Sequence, residues 1–379
     1  MGCDRADDVP FVRAAEIDVP VIVLTPNLTG ADGISTVARL VTRACEGVTV
    51  LVLNEPADRT VFEGAEVWGA GGRSSRFVTS AVRRATGGDS PMTVVTNHLH
   101  LAPAALAFAA RGASLLTILH GVEAWKPLTW VQRTSLDRSE RLVAVSAFSR
   151  DRFRAANPHF RNRHVDVCHL GLAPEPVSSV QSDRTPSALI VGRMAADERY
   201  KGHDLLIDIW RDVAADVPGA TLRIVGEGDD RPRLEQKATS LNLGGQIIFL
   251  GRVSDERLAS EYQRCTAVVM PSRGEGFGLV FIEAMRAARA CIGCRGSASE
   301  IIVDSKTGLL LEPDNRAQLR EAVVRMLRER SETEAMGVRG RARFLEHFTE
   351  EHFRRRLIAL MPQASAAAMS EAVSKLHRA

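Results

Sequence analysis

Two doubly wound α/β domains are what this sequence predicts, on three observations. From residue 19 onward, short runs rich in valine and leucine alternate with amphipathic stretches: "VPVIVLTP", "GISTVARLVTRAC", "VTVLVLNE", then "MTVVTN", "LLTILHG" and "ERLVAVS". The alternation breaks over residues 172–188, "LAPEPVSSVQSDRTPSA", where proline, serine and mixed polar residues replace the periodic segments. It restarts with "ALIVGRM", "HDLLIDIWRDVAADV", "ATLRIVGEG", "QIIFLGRV" and "TAVVMPS". Unbroken apolar runs separated by helical patterns mark parallel strands buried on both faces and joined by crossover helices. The first half is therefore Rossmann-like over residues 1–175. A second domain of the same kind covers 176–362, with 172–188 as the linker, and a C-terminal helix over 363–379 is expected to pack toward the first domain. In the last third, "NRAQLREAVVRMLRERS" and residues 341–360 read as long amphipathic helices.

Composition agrees with this architecture and narrows the function. With 379 residues, 45% of them hydrophobic and 25% charged, the chain is large enough for two cores and has the balance of a soluble protein. A formal net charge of +3 is small for this size, and no long basic run interleaves with aromatics, so nucleic acid is not the expected partner. The six cysteines are scattered, which fits a reducing compartment better than a disulfide framework. Cys291 and Cys294 form a lone C-x-x-C, inside an apolar run that reads as a buried strand rather than a redox or metal site. The opening "MGCDRADDVPFVRAAEIDVP" lacks the apolar core of a secretory signal, and no segment has the apolar length of a membrane span. The expected location is the cytoplasm, with contact to the inner face of a membrane left open.

In open α/β sheets ligands bind beyond the carboxyl ends of the strands, so the loops that follow strands carry the candidates. In "TAVVMPSRGEGFGLVFIEAMRAA" the strand ends at Met270 and the loop holds Gly274, Gly276 and Gly278. Good helix formers follow Leu279. Such a loop presents backbone N–H groups at a helix N-terminus, where a diphosphate is stabilised. A carboxylate there would repel the anion, so Glu275 is better placed to accept hydrogen bonds from sugar hydroxyls. Glu283, just over a turn into the helix, would reach a ribose diol by the same logic. The plainer alternative is a surface glutamate that stabilises a helix N-terminus together with a solvated one. In "IVGRMAADERYKGHDLL", Arg193 follows a strand and a glycine while Lys201 opens the next helix. Both cations can face the same cleft and neutralise a departing diphosphate.

These segments carry a resemblance. "VGRM…RYKGHDLL", "LRIVGEGDDRPRLE", "IIFLGRVSDERLASEY", "VVMPSRGEGFGLVFIEAM" and "EIIVDSKTGLLLEPDN" resemble successive signatures of the family-four retaining glycosyltransferases of GT-B fold (glycosyltransferases group 1). The E-x7-E element of Glu275 and Glu283 is specific in that setting. The first half resembles the family more loosely, through "LHGVEAW" and "RLVAVSAFSRDRF". The resemblance implies two Rossmann-like domains facing across a cleft and a nucleoside-diphosphate sugar as co-substrate. It implies that Arg193 and Lys201 hold the donor diphosphate, Glu275 the donor sugar and Glu283 the ribose. Backbone N–H groups of Phe277, Gly278 and Leu279 would complete the cradle, and Arg252 and Val253 would meet the base. The spacing between Arg193 and Lys201 is longer than in many members.

The first half supplies further candidates. Gly30 and Gly33 in "TPNLTGADGISTVARL" form a turn that could approach the donor phosphates, or simply a tight turn. The three-glycine dinucleotide fingerprint is absent, which counts against a dehydrogenase. His120 ends "LLTILH" and precedes Gly121; a satisfied core histidine is the ordinary reading, while the resemblance points to a site residue beside the donor sugar. Asn97, His98, Ser146 and Arg150 also follow strands and are candidates for acceptor contacts, Ser146 and Arg150 at a helix start able to receive an acceptor phosphate. The arginine-rich "RDRFRAANPHFRNRH" is either a solvated face or a peripheral contact with anionic lipid.

The expected function is a retaining, metal-independent hexosyltransferase. It would use a nucleoside-diphosphate sugar of GDP-mannose or UDP-glucose type and a glycan or lipid-linked acceptor, as in polysaccharide or glycoconjugate assembly. No D-x-D element stands at a strand end, so neither a metal nor a cofactor is expected. A sugar-nucleotide epimerase or hydrolase on the same fold, and a non-catalytic sugar-nucleotide-binding protein, are the alternatives. The intact set Arg193, Lys201, Glu275 and Glu283 argues against the last, because mere binding has no need of leaving-group stabilisation.

Overall fold

The computed structural model describes residues 19–30, 32–87, 92–175 and 185–362. The chain divides into two compact units. The first comprises the residues up to Ala144, Arg154–Cys168 and those from Glu351 onward; the second comprises Val145–Phe153 and His169–Glu350. The helix expected over 363–379 lies outside the described residues.

In chain order the first half contains β1 (Val21–Thr25), α1 (Gly33–Ala44), β2 (Thr49–Val52), β3 (Arg59–Phe62), β4 (Ala65–Gly69) and α2 (Ser74–Gly87). It continues with β5 (Thr93–Thr96), α3 (Ala102–Ala109), β6 (Ser114–Leu119), α4 (Trp130–Arg138), β7 (Arg141–Ala144), α5 (Ala147–Ala156) and β8 (Asp166–Val167). Their sheet runs β3-β4-β2-β1-β5-β6-β7-β8. All pairings in it are parallel except β3 with β4. That antiparallel hairpin, which the hydrophobic pattern does not announce, turns through Glu63 and Gly64, both at positive φ (50° and 84°), the geometry that matches the twist of a two-residue hairpin. Every residue of β1 is buried, as a strand covered on both faces requires. Beneath the sheet Leu24, Val94, Phe77 and Phe108 form one apolar cluster.

The second half contains β9 (Ser187–Val191), α6 (His203–Asp216), β10 (Thr221–Val225), α7 (Arg231–Ser240), β11 (Ile247–Gly251) and α8 (Asp255–Arg264). Then come β12 (Ala267–Met270), α9 (Leu279–Arg286), β13 (Ala290–Cys294), α10 (Ala298–Ile301), β14 (Gly308–Leu311), α11 (Arg316–Arg328), α12 (Arg330–His347) and α13 (Glu350–Leu360). Its sheet is wholly parallel, in the order β11-β10-β9-β12-β13-β14. Trp210 of α6 and Phe281 of α9 are fully buried against it.

Residues 341–360 are not one helix. The chain breaks between α12 and α13, where the Leu172 N–H donates to the Phe348 carbonyl and the Glu350 N–H to the Leu172 carbonyl, both at 2.9 Å. Residue 172 is clipped there as a short parallel bridge to Thr349. Cys291 and Cys294 sit in β13, both buried. A spacing of three puts them on opposite faces of the strand, and burial pushes the Cys294 thiol up to about 11.

Strand order locates the candidate sites. In each sheet the chain lays successive strands to one side of the first and then switches to the other side. The switch falls between β1 and β5 in the first sheet and between β9 and β12 in the second. Crevices at such points, at the carboxyl ends of the strands, are where open α/β sheets bind ligands.

Candidate active site

Residues that follow β9 and β12 meet at the second sheet's switch point. Gly202, the N-cap of α6, has φ 87°. A Cβ on it would run into the Pro271 ring and carbonyl, each 2.7 Å away, so only glycine lets the loop after β9 lie against the loop after β12. The Arg273 N–H donates to the Tyr200 carbonyl at 3.0 Å and stitches the two loops together. Arg193 and Lys201 are thereby brought beside Glu275, which feels the charge of both.

Glu198 organises these cations. Its carboxylate pairs with the Arg193 guanidinium, and its second oxygen lies 3.3 Å from Lys201 Nζ. The Glu198 and Lys201 side chains are 13% and 15% exposed, whereas Arg193 is 66% exposed. One buried carboxylate thus holds an exposed guanidinium and a sheltered ammonium together. Sequence reasoning missed Glu198, although an acid in the long stretch between the two cations was its visible signal.

Helix α9 opens without a side-chain cap. Its N-cap is Gly278, in the left-handed region at φ 100°, and a Cβ there would stand 2.6 Å from the Phe281 ring. By contrast Asp32 caps α1, Ser254 caps α8 and Asn315 caps α11. The first N–H groups of a helix have no i→i−4 partner; in α9 the Phe281 N–H folds back onto the Gly278 carbonyl at 2.9 Å, which leaves those of Leu279 and Val280 at the positive end of the helix dipole. The preceding loop is pinned: Ser146 Oγ and Ser149 Oγ both donate to the Gly276 carbonyl, at 2.5 and 2.8 Å. Glu275 has one buried carboxylate oxygen with no hydrogen-bond partner. Burial pushes its carboxyl above the usual range, against the pull of Lys201 and the Ser272 hydroxyl. An oxygen that has lost water and found no replacement costs roughly 1–3 kcal/mol, and a ligand hydroxyl would recover that cost. A shallow, open pocket lies beside it, lined by Ser272, Arg273, Glu275, Cys294 and Arg295 among others.

Further along α9, Glu283 accepts from the buried Tyr262 hydroxyl at 2.5 Å. Burial raises its carboxyl too, with the Tyr262 hydrogen bond and Arg286 opposing. Arg252 and Val253 follow β11, Arg252 exposed and Val253 half-buried. The end of β11 is tied to the end of β10 by the Gly226 N–H, which donates to the Gly251 carbonyl at 2.9 Å.

At the first sheet's switch point several of the candidate residues have partners within the protein. Gly33 begins α1, but Asp32 accepts from the Ile34 and Ser35 N–H groups at 2.9 and 3.0 Å. A carboxylate already fills that helix N-terminus and would repel a phosphate. Asn97, a candidate acceptor contact, is wholly buried, and its amide donates to Thr25 Oγ1 at 3.1 Å and to the Ile34 carbonyl at 3.0 Å. His120 is 9% exposed, with Nε2 2.6 Å from the Asn97 carbonyl. A nitrogen facing a carbonyl carries the proton, so Nε2 is a donor held in place by the Asn97 carbonyl. Burial lowers its pKa. The His120 and Gly121 N–H groups both donate to Glu123 Oε1, at 2.9 and 3.1 Å, a carboxylate the sequence reading did not single out. His98 keeps a partly exposed ring. Its Nδ1 accepts from the His100 N–H at 3.3 Å, and burial pushes its pKa down to about 4.

Ser146, Arg150 and the helix start between them are engaged within the protein. The Ala147 and Phe148 N–H groups that open α5 donate to the Glu300 carboxylate at 2.8 and 2.9 Å. The Ser146 hydroxyl is spent on Gly276, and Arg150 pairs with Asp151 at 2.8 Å.

Residues 185–329 match the family Glycosyl transferases group 1. The chain is 32% identical over 204 residues to an uncharacterised glycosyltransferase of Methanocaldococcus jannaschii, covering 54% of each. It is 29% identical over 265 residues to the GDP-mannose-dependent alpha-(1-6)-phosphatidylinositol monomannoside mannosyltransferase of Mycobacterium tuberculosis, covering 64% of this chain and 67% of that protein. The match thus spans between about half and two thirds of these relatives' own lengths. Among solved structures, Anabaena HepE in complex with UDP superposes with a TM-score of 0.73 at 18% identity, over 89% of this chain and 98% of that one. The fold is the GT-B fold, built from two Rossmann-like domains.

Proposed function

From the premise that residues 185–329 are a group 1 glycosyl transferase region within a GT-B fold, we propose that the protein is a retaining, metal-independent glycosyltransferase. It takes a hexose from a nucleoside-diphosphate sugar and delivers it to a glycan or lipid-linked acceptor. The observation that carries this reading is the assembly at the β9–β12 switch point: the uncapped N-terminus of α9, the Arg193 and Lys201 cations held by Glu198, and the partnerless Glu275 oxygen. Charge develops on the diphosphate as the sugar–phosphate bond breaks. Two cations and a helix N-terminus aimed at that charge are stabilising before the step begins and need not reorganise during it. Glu275 would accept from a donor-sugar hydroxyl, and Glu283, oriented by Tyr262, from the ribose.

The relatives bear on donor and acceptor. One is described as GDP-mannose-dependent and acting on a phosphatidylinositol mannoside, and HepE was solved with UDP; these support a donor of GDP-mannose or UDP-glucose type for this chain. A lipid-borne acceptor would bring the protein to a membrane surface, for which the cytoplasmic inner face is our reading; among the described residues no helix is long and apolar enough to cross a membrane. His98 would then meet the acceptor.

The test is a thermal-shift screen against uridine, guanosine and adenosine diphosphate sugars, followed by product analysis. A ligand of the folded state raises its apparent stability, so one donor class should raise the melting temperature. Proton NMR of the product should show the donor's anomeric configuration kept, and a chelator should leave the rate unchanged. Turnover of donor with no acceptor would favour an epimerase or hydrolase instead.

A further inference from the structure

Helix α4 begins on an exposed apolar tip. Trp130 is 75% exposed and Val131 41% exposed, and Pro127 beside them is also exposed. An indole left in water forgoes one of the largest apolar burials a side chain can obtain. The tip is nonetheless rigid. Thr129 caps α4 in a reciprocal box with Gln132, and Asn157, itself 6% exposed, braces the loop before it. The Asn157 amide donates to the Ala124 and Lys126 carbonyls at 3.3 and 3.2 Å and accepts from the Leu128 N–H at 2.9 Å. A display held this firmly loses little entropy on docking.

Basic residues surround the tip. Arg133 lies one turn along the same face as Trp130, with Lys126 before it and Arg138 after it, all exposed. The arginine-rich segment after Arg154 packs against the far end of α4. His159 Nε2 is 2.8 Å from Asp137 Oδ1, and Arg163 donates to the Ser139 carbonyl at 2.5 Å. In the first unit, this segment and residues 126–141 carry Lys126, Arg133, Arg138, Arg141, Arg154, Arg161 and Arg163 against Asp137 and Glu140. The excess exceeds the net +3 of the whole chain.

We propose that the Trp130 tip is a peripheral anchor for an anionic bilayer surface, Trp130 and Val131 entering the boundary between headgroups and acyl chains while Lys126, Arg133 and Arg138 meet anionic headgroups. The proposal deepens the membrane-side reading of the acceptor and rests on it. An amphipathic ring suits that boundary, and each basic residue near an anionic surface adds attraction that falls off within a Debye length. The charge excess selects an anionic lipid surface over an apolar protein face.

The test uses the full chain with phosphatidylcholine vesicles, with and without phosphatidylglycerol, read by co-sedimentation and tryptophan emission. The wild type is expected to bind only the anionic vesicles, with a blue shift, and to be released by salt. Trp130→Ser should keep its melting temperature and lower partitioning by roughly tenfold with loss of the blue shift; Lys126→Ser with Arg133→Ser should abolish the preference for anionic vesicles. If the wild type binds anionic vesicles and Trp130→Ser binds equally well, the anchor is wrong while the membrane-side reading stands. Wild-type protein that binds neither vesicle would overturn both. A wild-type dimer in light scattering that Trp130→Ser dissolves would make the tip a self-association surface and overturn the proposal.

Discussion

The Tyr262 hydroxyl donates to Glu283 Oε2 at 2.5 Å, which commits one carboxylate oxygen to the protein. This pair joins α8 to α9 and makes Glu283 a positioned acceptor rather than a mobile side chain. Tyr262→Phe removes the hydroxyl without changing the ring. The variant is expected to bind nucleoside diphosphates about 3–10-fold more weakly, the worth of one hydrogen bond, with kcat little changed. Calorimetric titration and steady-state kinetics on one donor check this; a large loss of kcat with unchanged binding would place Glu283 at the reacting sugar instead.

Glu198 binds both cations of the donor site, and the question is whether it positions them or merely competes with the diphosphate. Its burial favours positioning. Glu198→Gln should therefore lower kcat/KM by about tenfold, or roughly 1.4 kcal/mol of transition-state stabilisation. Tighter diphosphate binding by the variant would mean that the carboxylate is a competitor.

The first turn of α5 depends on a distant carboxylate. Glu300 caps the Ala147 and Phe148 N–H groups and pairs with His169 at 2.8 Å. Glu300→Ala should destabilise the protein by about 1–2 kcal/mol, the range for loss of a helix cap, read as a shift in the denaturation midpoint. A neutral result would show that solvent caps the helix equally well.

Stability should fall in mild acid. His203 is 4% exposed, its Nε2 has no hydrogen-bond partner, and burial together with Lys201 pushes its pKa from the ordinary 6.5 down to about 4. Between those values the unfolded chain binds a proton that the folded chain does not, so unfolding is favoured as pH falls through this window. The stabilisation is fully present above the ordinary value and lost toward the lower one. His98, pushed the same way, adds to the slope. Melting temperatures from pH 7 to 4.5 should drop, and His203→Gln should flatten part of that drop. An unchanged slope in His203→Gln would assign the acid sensitivity elsewhere.

Arg193, Lys201, Glu275 and Glu283 stand out as candidates in the sequence because each follows a strand or glycine turn whose position is set by local pattern. The residues that hold them were not. Glu198, Tyr262 and Glu123 owe their roles to partners brought near by the fold, and neither periodicity nor turn chemistry marks such pairs. Internal partners of candidate residues are hidden for the same reason. Asn97, Ser146 and Gly33 stand where ligand-facing groups stand, yet the protein uses them or their neighbours internally: Asn97 on Thr25, Ser146 on Gly276, and Asp32 over the α1 N-terminus. A polar residue at a strand end announces a hydrogen bond without saying to whom. The strands were readable because burial on both faces leaves unbroken apolar runs, whereas the β3–β4 hairpin, with β3 largely exposed, carries no such mark.

The most direct measurement is calorimetric titration of uridine, guanosine and adenosine diphosphates into the wild type, Arg193→Ala/Lys201→Ala and Glu275→Gln. One nucleotide should bind the wild type. The double variant should bind it roughly a hundredfold more weakly, as the loss of two charge-assisted partners implies. Glu275→Gln should bind the nucleotide as the wild type does while losing sugar transfer, because its carboxylate faces the sugar and not the diphosphate. Equal affinity in wild type and double variant, or no binding of any of the three nucleotides, would contradict a donor site at the β9–β12 switch point.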